Sequence, residues 1–451
     1  MRQLQVNFEK TLGRIKPMHA VGQPPFYGMD FSYCRYLEAA HVPYARLHDV
    51  GGAYGRSVFV DIPNLFRNFD ADENDPASYD FAFTDVLLSE LHKYGMKPVF
   101  RLGVTIENYA EIRAYNIYPP KDFSKWARIC EHVIRHYNEG WAEGFHYGIE
   151  YWEIWNEPEG HPNGDGLAMW IGTKEQYFEL YRVAATHLKA CFGDKIKIGG
   201  YASCGFSSLK YENAQRALKT GSTEGLTERE AIVLHRQTYF LDFLEMLKEY
   251  KPPIDFFSWH SYEPFDFDFK QQAYVEKCLA DAGYGDIEIH LNEWNTHYKL
   301  NTRGTAEAAA HSAALMCGMQ KTKMAVMNFY DARLGHSTYG GLFNPLTFKP
   351  FCTYDAFLCF GALYALGTEA AVTGEGSGVY ATAATDGKES AVLIVNTGAR
   401  KEISVELSGK YYAYICKNGK RIAPVSIDPK AFILKKNEFV FFSTKELTIP
   451  D

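Results

Sequence analysis

The sequence predicts an α/β protein in which a (β/α)8 TIM barrel is followed by a C-terminal antiparallel β-sandwich domain. From about residue 28 to 366, short β-branched or aromatic runs alternate with longer segments of helical period, which is typical of a parallel sheet wound with helices. After Gly367 the apolar runs become short and alternating, and turn-forming pairs such as Asp386-Gly387 and Asn418-Gly419 separate them. This change in pattern predicts the boundary between the two folds.

Eight strand-like runs can be counted in the first region, and eight strand–helix units in one sheet close most simply into a barrel. The predicted strands are 44–48, 58–61, 98–102, 151–155, 196–199, 254–259, 287–291 and 325–330. The segments between them are amphipathic, and in one of them we expect Leu87, Leu88 and Leu91 to lie in the core.

Three regions follow from these patterns. Residues 1–25, which begin with an alternation of apolar and polar residues, are expected to add strands to the β-sandwich. Residues 26–366 form the predicted catalytic barrel, and residues 367–451 form the predicted β-sandwich. The segment 202–238 is longer than the usual connection after a barrel strand, so we expect it to shape the face that carries the functional site.

Charge and composition exclude several classes of function. The 451 residues carry a formal net charge of −8 without a basic cluster, so neither nucleic acid nor an anionic membrane surface is an expected partner. The first residues lack the apolar core of a secretory signal, and no segment offers ~18 consecutive apolar residues, so we predict a cytoplasmic protein. The aromatic share of 15% is typical either of a protein that binds sugar rings or of one with a Tyr-rich core.

The cysteines and histidines predict neither a disulfide framework nor a metal centre. The nine cysteines are scattered and never spaced as C-x-x-C, and no His/Asp cluster along the chain has the spacing of metal ligands. We therefore expect the cysteines to be small buried hydrophobic residues, and we expect no metal and no organic cofactor.

Paired carboxylates at strand ends carry the functional prediction, because the catalytic groups of such a barrel lie where its strands end. The fourth predicted strand leads into W-N-E-P, with Asn156 and Glu157, and the seventh leads into N-E-W-N, with Asn292 and Glu293. Carboxylates on these two strands face each other, and a separation of about 5 to 5.5 Å fits cleavage of a glycosidic bond with retention. Glu157 is then the acid/base, with a pKa raised by repulsion and a partly dry pocket, and Glu293 is the nucleophile.

These motifs resemble clan A of the glycoside hydrolases, and most closely family 39, which includes the β-xylosidases. The run W-N-E-P at 155–158 resembles the acid/base motif of that clan, and Asn-Glu at 292–293 resembles its nucleophile motif. The resemblance covers nearly the whole chain. It implies that Asn156 donates a hydrogen bond to the 2-hydroxyl of the sugar, and we also place the adjacent Trp155 and Trp294 at the substrate.

Two further runs extend the resemblance. The run D-F-F-S-W-H-S-Y at 255–262 resembles the family pattern on strand six, which implies that His260 lies beside Glu293 and that the Tyr262 hydroxyl orients this carboxylate. The run A-R-L-H-D at 45–49 resembles the family's R-x-H run on strand one, which implies that His48 binds a sugar hydroxyl and that Arg46 supports the strand below.

Strand eight departs from the family pattern. The tryptophan expected to form the floor of the sugar site is replaced by Met327. Tyr330 is our candidate for the missing platform. Arg333 would bind a sugar hydroxyl or the carboxylate of a uronic acid, or else form an ion pair with Asp331. Strand three departs as well, and Glu107 near its end would either contact a hydroxyl or face solvent.

The resemblance implies an exo-acting glycosidase that removes a terminal β-xylosyl, α-L-arabinosyl or β-galactosyl residue from an oligosaccharide, either as a monomer or as a homo-oligomer. The alternatives are an α-L-iduronidase-like or other glycosidase specificity on the same scaffold, and a non-catalytic sugar-binding protein. A Schiff-base aldolase or a phosphate-handling isomerase would need a strand-end lysine or a glycine-rich phosphate loop, and the sequence offers neither convincingly.

Overall fold

The computed structural model of the protein describes residues 2–50, 60–105, 117–160, 169–335, 337 and 339–451. The strands in chain order are β1 (Arg2–Arg14), β2 (Ala20–Gly22), β3 (Tyr44–Leu47), β4 (Lys97–Leu102), β5 (Tyr151–Ile154), β6 (Lys197–Ser203), β7 (Phe256–Ser261), β8 (Glu288–Trp294), β9 (Met324–Phe329), β10 (Thr368–Thr373), β11 (Val379–Thr385), β12 (Ser390–Asn396), β13 (Lys401–Glu406), β14 (Tyr412–Cys416), β15 (Ala423–Pro424), β16 (Phe432–Leu434) and β17 (Glu438–Ser443). The α-helices are α1 (Cys34–Ala39), α2 (Ile62–Leu65), α3 (Ala82–Lys93), α4 (Phe123–Glu139), α5 (Lys174–Phe192), α6 (Glu212–Thr220), α7 (Glu228–Tyr250), α8 (Phe265–Asp281), α9 (Ala306–Met319) and α10 (Cys352–Leu366).

Strands β2 to β9 close into a barrel in chain order, and β2 completes it by pairing in parallel with β9. The strands are almost entirely buried because helices cover the outside and side chains fill the inside. Ala20, Val99, Tyr151, Phe256 and Val326 come from five different barrel strands and form a separate apolar cluster within the barrel. The predicted (β/α)8 fold class is therefore confirmed.

The first barrel strand was missed by the sequence prediction. Ala20–Gly22 lies in the segment that was expected to add strands to the β-sandwich, yet it pairs with β3 and β9. Three residues between Pro17 and Pro24 are too few to show a strand period. The predicted strand 44–48 is consequently the second strand of the barrel, whereas the numbering of strands three to eight is unchanged.

The predicted second strand, 58–61, is wrong in its described part. Residues 58 and 59 lie outside the described residues, Val60 is in a turn, and Asp61 directly precedes α2. The Asp61 carboxylate accepts hydrogen bonds from Arg101 Nη2 at 2.6 Å and from the Thr105 backbone N–H at 3.0 Å. These bonds attach the segment to the end of β4 rather than to a strand ladder.

In the described part of the chain, nine strands form one curled sheet in the order β15-β14-β17-β12-β11-β10-β1-β13-β16. The pairs are antiparallel except for β1 with β13, which is parallel. Side chains from both halves of the sheet, such as Leu4 and Phe442, share one apolar cluster. The predicted sandwich is thus a single sheet bent around its own core. The predicted turns at Asp386-Gly387 and Asn418-Gly419 connect antiparallel neighbours.

Contacts between the two parts of the chain are polar as well as apolar. Arg421, between β14 and β15, donates to the buried carboxylate of Asp355 on α10 at 2.7 Å, and the Ile422 N–H donates to the same group at 2.8 Å. Burial raises the pKa of Asp355 to about 6 even though the Arg421 charge opposes this shift.

The remaining sequence expectations have mixed outcomes. Leu87, Leu88 and Leu91 are buried on α3, as expected. All nine cysteines are free; six are buried and three are half-buried. The segment 202–238 contains the end of β6, all of α6 and the beginning of α7. No helix in the described ranges is long and apolar enough to cross a membrane.

Candidate active site

Glu157 and Glu293 lie at the carboxyl ends of β5 and β8, on the face of the barrel where functional groups are expected. The register between β7 and β8 slips by one residue directly before Glu293. This bulge places both Asn292 and Glu293 in contact with polar residues of the barrel interior. Trp294, the next residue, packs outward against α10.

Four side chains surround the Glu293 carboxylate. Arg46 Nη1 donates to Oε1 at 2.7 Å, and the Tyr262 hydroxyl donates to Oε2 at 2.7 Å. His260 Nδ1 lies 3.5 Å from Oε2, and His48 Nε2 lies 3.8 Å from Oε1. The carboxylate is therefore held from both sides with its charge compensated, which suits a group that must attack in one fixed direction.

The Glu157 carboxylate is more accessible than that of Glu293, with 21% of its side chain exposed against 7%. Its Oε1 is hydrogen-bonded to His260 Nδ1 at 2.7 Å. Its backbone has a φ of 45°, in the left-handed region that a glutamate rarely adopts, and its N–H donates to the Ala202 carbonyl at 3.1 Å. The strand therefore bends away at this point and leaves the carboxyl group aimed into the site.

His260 is the neighbour that most lowers the pKa of Glu157. Burial alone would raise the pKa of Glu157, but the hydrogen bond and charge of His260, together with Arg236, lower it below its usual range. Burial likewise opposes the charged form of His260, while the charge of Glu293 and the bond to Glu157 raise its pKa. The raised pKa expected for Glu157 is therefore wrong for this arrangement, because the expectation counted burial and repulsion but not the adjacent histidine.

A buried ion pair supports the site from below. Arg46 Nη2 donates to Glu153 Oε2 at 2.6 Å and to Asn156 Oδ1 at 2.6 Å. Ser258 donates to the other Glu153 oxygen at 2.6 Å, and Asn292 Nδ2 donates to that oxygen as well. Glu153 was missed by the sequence reasoning, although a charged residue inside the apolar run Y-W-E-I-W was a usable signal.

A second buried glutamate, also missed, lies two residues beyond Glu157. Glu159 Oε1 accepts hydrogen bonds from the Ser203 hydroxyl at 2.9 Å and from the Cys204 N–H at 2.6 Å. Burial, followed by the charge of Glu157, raises the pKa of Glu159 to about 7. Glu159 is thus poised to change its charge near neutral pH beside the candidate acid/base.

Three groups of side chains among the described residues bring potential metal ligands within 4.8 Å of one another: Glu157 with His260 and Glu293, Glu131 with His187 and Cys191, and His297 with Glu307 and His311. Sequence spacing did not reveal them because no group is local in sequence: two contain a pair four residues apart on one helix, His187 with Cys191 and Glu307 with His311, but the third member comes from elsewhere in the chain. In the first group His260 Nδ1 is already hydrogen-bonded to Glu157 Oε1, which suits proton transfer.

Comparison with known proteins bears on what these groups do. The sequence profile of "Glycosyl hydrolases family 39" matches residues 2–292. The chain belongs to that family. The match includes the strand that leads to Glu157 and ends one residue before Glu293.

Relatives of this family 39 chain are similar over most of its length. A protein named beta-xylosidase from Geobacillus stearothermophilus is 25% identical over 352 aligned positions, and the alignment covers 68% of this chain and 61% of that relative. The aligned part of the chain thus spans only about three fifths of the relative's length. A glucosidase from Croceicoccus marinus (TM-score 0.73, 21% identity, 98% of both chains) and a monomeric beta-xylosidase from Caulobacter crescentus CB15 (TM-score 0.68, 15% identity, 98% of this chain and 99% of that one) share the fold.

Trp155 and Trp294 do not fit the predicted contact with substrate in this family 39 barrel. Both are almost fully buried. Trp155 packs against Trp126 and Trp170, and its indole N–H donates to the Met169 carbonyl. Trp155 has a φ of 70°, which breaks the strand alternation before Glu157. Trp294 points outward because of the bulge in β8. Both residues therefore support the barrel from outside.

Tyrosines form a wall beside the nucleophile candidate. Tyr262 packs against Tyr339 with ring centroids 4.7 Å apart, and against Tyr298 at 5.8 Å. Tyr330, the predicted platform, is buried, donates to Asp49 Oδ2 at 2.8 Å and packs against Tyr339 at 5.0 Å. Tyr298 and Tyr339 are half-buried and were missed, because they lie in loops beyond the strand ends. They, rather than Tyr330, offer ring surface to a ligand.

Arg333 and His48 lie at the same face. Arg333 Nη2 is paired with Asp331 Oδ2 at 3.1 Å, one of the two roles predicted for it. His48 Nε2 lies 3.3 Å from Asp49 Oδ1. Burial, then the charges of Arg101 and Arg46, lower the pKa of His48 well below its usual range, so it is a neutral hydrogen-bonding group. Glu107 lies outside the described residues.

Proposed function

We propose that this family 39 chain is a retaining, exo-acting glycosidase that removes a terminal β-xylosyl or stereochemically related residue from an oligosaccharide. One carboxyl oxygen of Glu157 and one of Glu293 lie within 4.8 Å of each other and of His260 Nδ1. This observation carries the proposal. Double displacement uses carboxyl groups about 5 to 5.5 Å apart, whereas inversion needs about 6.5 to 9.5 Å to admit a water molecule.

In the first step Glu293 attacks the anomeric carbon, and the bond from this carbon to the leaving oxygen breaks. Glu157 takes up the proton held in its 2.7 Å hydrogen bond with His260 and gives it to the leaving oxygen, so the aglycone departs as a neutral alcohol and the glycone remains as an ester of Glu293. Arg46 and Tyr262 donate hydrogen bonds to the attacking carboxylate and fix its orientation. Asn156, whose side-chain oxygen is bound by Arg46, is fixed with its amide N–H free to face the 2-hydroxyl.

In the second step Glu157 takes a proton from water, and the resulting oxygen attacks the anomeric carbon and releases Glu293. The ester has no charge, so His260 loses the neighbour that most raises its pKa. As His260 becomes neutral, Glu157 loses the charge that lowers its own pKa and becomes a better base.

The glycone is proposed to be neutral. The relative named beta-xylosidase supports a xylosyl residue, and α-L-arabinosyl and β-galactosyl residues share the same anomeric geometry. Arg333 is the basic group that would favour a uronic acid, but its guanidinium is paired with Asp331. A uronate would have to compete with that carboxylate, which favours a neutral sugar over the α-L-iduronidase-like alternative.

The test is hydrolysis of p-nitrophenyl glycosides: β-xyloside, α-L-arabinopyranoside, α-L-arabinofuranoside, β-galactoside, β-glucoside and α-L-iduronide. We expect turnover of the β-xyloside or a related sugar, loss of turnover in Glu293→Ala, and rescue of Glu157→Ala by azide with formation of a β-glycosyl azide. NMR of the first product should show the anomeric configuration of the substrate.

Glu139→Ala is the matched control, because Asn138-Glu139 repeats the Asn-Glu pair on the outer helix α4, where Glu139 pairs with Arg135. It should leave turnover unchanged. Inversion of the product would overturn the mechanism. Binding of xylose without turnover of any glycoside would instead favour a sugar-binding protein.

A further inference from the structure

We propose that His297, Glu307 and His311 bind a divalent transition-metal ion of the zinc type. His297 lies three residues beyond β8, while Glu307 and His311 are four residues apart and therefore on one face of α9. One ligand atom from each residue lies within 4.8 Å of the other two. The cluster is separate from Glu157, His260 and Glu293, and the inference does not depend on the proposed function.

The distances suit a small tetrahedral ion. Ligand atoms about 2.0 to 2.2 Å from zinc lie about 3.3 to 3.6 Å from one another in a tetrahedron. His297 Nε2 and Glu307 Oε1 are already 3.3 Å apart. The His297 and His311 rings have centroids 5.1 Å apart, so a small rotation of His311 completes a three-ligand set. Two imidazoles and one carboxylate form a donor set that zinc prefers.

Neighbouring groups hold two of the ligands in the orientation that binding requires. His297 Nδ1 lies 3.0 Å from the Thr296 hydroxyl, which leaves Nε2 turned to the cluster. Glu307 Oε2 accepts a hydrogen bond from Asn437 Nδ2 at 3.2 Å, which leaves Oε1 turned to it. Metal-binding histidines and carboxylates are commonly fixed in this way through their other polar atom.

The local charge also favours a cation. Among the described residues, the charged groups with the largest influence on the cluster are Glu307 itself, Asp266 of α8 and Lys436 next to β17, which together carry a net negative charge. His311 packs against the Phe265 ring at 4.5 Å, so one side of the cluster is apolar and limits access of water. A fourth position remains for water or for a further carboxylate.

A bound ion would connect three parts of the chain. Tyr298 follows His297 directly and belongs to the tyrosine wall, so the ion would fix the loop that carries this ring. Glu307 and His311 anchor the ion to α9, and the hydrogen bond from Asn437 extends the connection to the nine-stranded sheet. Without an ion, these parts of the chain are connected only by the hydrogen bonds of Glu307 with His297 and Asn437.

The experiment is calorimetric titration of the chelator-treated full chain with zinc chloride, with the d–d absorption of cobalt(II) as a second readout. We expect one equivalent of metal, a tetrahedral cobalt spectrum, and a rise of several degrees in melting temperature at about 100 times the Kd. His297→Ala and His311→Ala should each abolish the binding. His311→Gln provides a second variant of similar size if the alanine variant folds poorly.

Two variants separate this cluster from the other candidate ligand groups. His187→Ala disrupts the group with Glu131 and Cys191, and Glu293→Gln disrupts the active-site group. Both variants should still bind one equivalent of zinc. Binding that is absent in the wild-type chain, or that is lost in either of these variants and kept in His297→Ala and His311→Ala, overturns the proposal.

Discussion

His260 Nδ1 lies 2.7 Å from Glu157 Oε1 and thereby joins the candidate acid/base to a residue that also faces the candidate nucleophile. The pKa of Glu157 is lowered by this histidine, and the pKa of His260 is raised by both carboxylates. Glu157 and His260 are therefore coupled, and a change at one of them alters the pKa of the other.

Replacing His260 by asparagine should raise the pKa of Glu157. The amide keeps a donor near the position of Nδ1 but removes the charge, so burial becomes the dominant influence on Glu157. The measurement is a carbon-13 NMR titration of labelled glutamate carboxyls, with Glu157→Gln to assign the signal. His92→Asn, at an exposed position, should leave that titration unchanged. An unchanged or lower pKa in His260→Asn would contradict the bridge.

Tyr262→Phe should reduce kcat/KM by about 10- to 100-fold. The variant keeps the ring but removes the 2.7 Å hydrogen bond to Glu293, and a hydrogen bond to a charged group contributes about 1.5 to 3 kcal/mol. Steady-state kinetics on the best glycoside measures the effect, and thermal unfolding should show little change. Tyr412→Phe, on the exposed face of β14, is the control. Equal kinetics in the two variants would remove the assigned role of the hydroxyl.

Glu153→Gln should destabilise the fold by about 3 to 5 kcal/mol, because it leaves a buried arginine without its principal partner. Chemical denaturation measures the free energy of unfolding. Glu179→Gln removes the exposed pair with Arg182 and should cost at most about 1 kcal/mol. A similar cost for the two variants would show that the Arg46 to Glu153 pair is not a principal support of the barrel.

Glu159 should make stability fall as pH rises through the range from about 4.5 to 7. Its folded pKa of about 7 lies above the ordinary value of 4.5, so the folded state holds the proton more tightly and loses this advantage as the pH passes 7. The shift corresponds to at most about 3 kcal/mol. Unfolding of wild type and Glu159→Gln at pH 5 and pH 8 tests this, and the variant should lose less stability between these values. Parallel losses would contradict the assignment.

Tyr298→Ala should lower kcat/KM by about 3- to 10-fold through a higher KM, since an aromatic contact contributes about 0.5 to 1.5 kcal/mol. Tyr298→Phe keeps the ring and should retain most of the activity. Kinetics on a xylosyl disaccharide, in addition to the nitrophenyl substrate, separates a contact with the glycone from one with the aglycone. If Tyr298→Ala binds both substrates as tightly as wild type, the tyrosine wall does not contact the sugar.

The sequence predicted the barrel and its two strand-end glutamates because both depend on local patterns: apolar runs, helical periods and short motifs. It could not predict that β8 slips by one residue, so that Asn292 and Glu293 contact the interior while Trp294 faces α10. Strict alternation along a strand would place either Asn292 or Glu293 on the outer face of the barrel. The same holds for Trp155, where a left-handed backbone ends the alternation. The effect of His260 on the pKa of Glu157 could not be predicted either, because it depends on the distance between side chains at the ends of two different strands.

The pairing of β1 has a consequence for how the protein is made. Residues 2–14 pair with strands built from residues 368–373 and 401–406, so β1 is synthesised well before the strands that it pairs with. The barrel strands can pair with one another before β10 and β13 exist, and until then the edges of β1 remain unpaired. A shortened chain ending at residue 367 would keep that edge exposed, so a soluble isolated barrel requires removal of both β1 and the C-terminal strands.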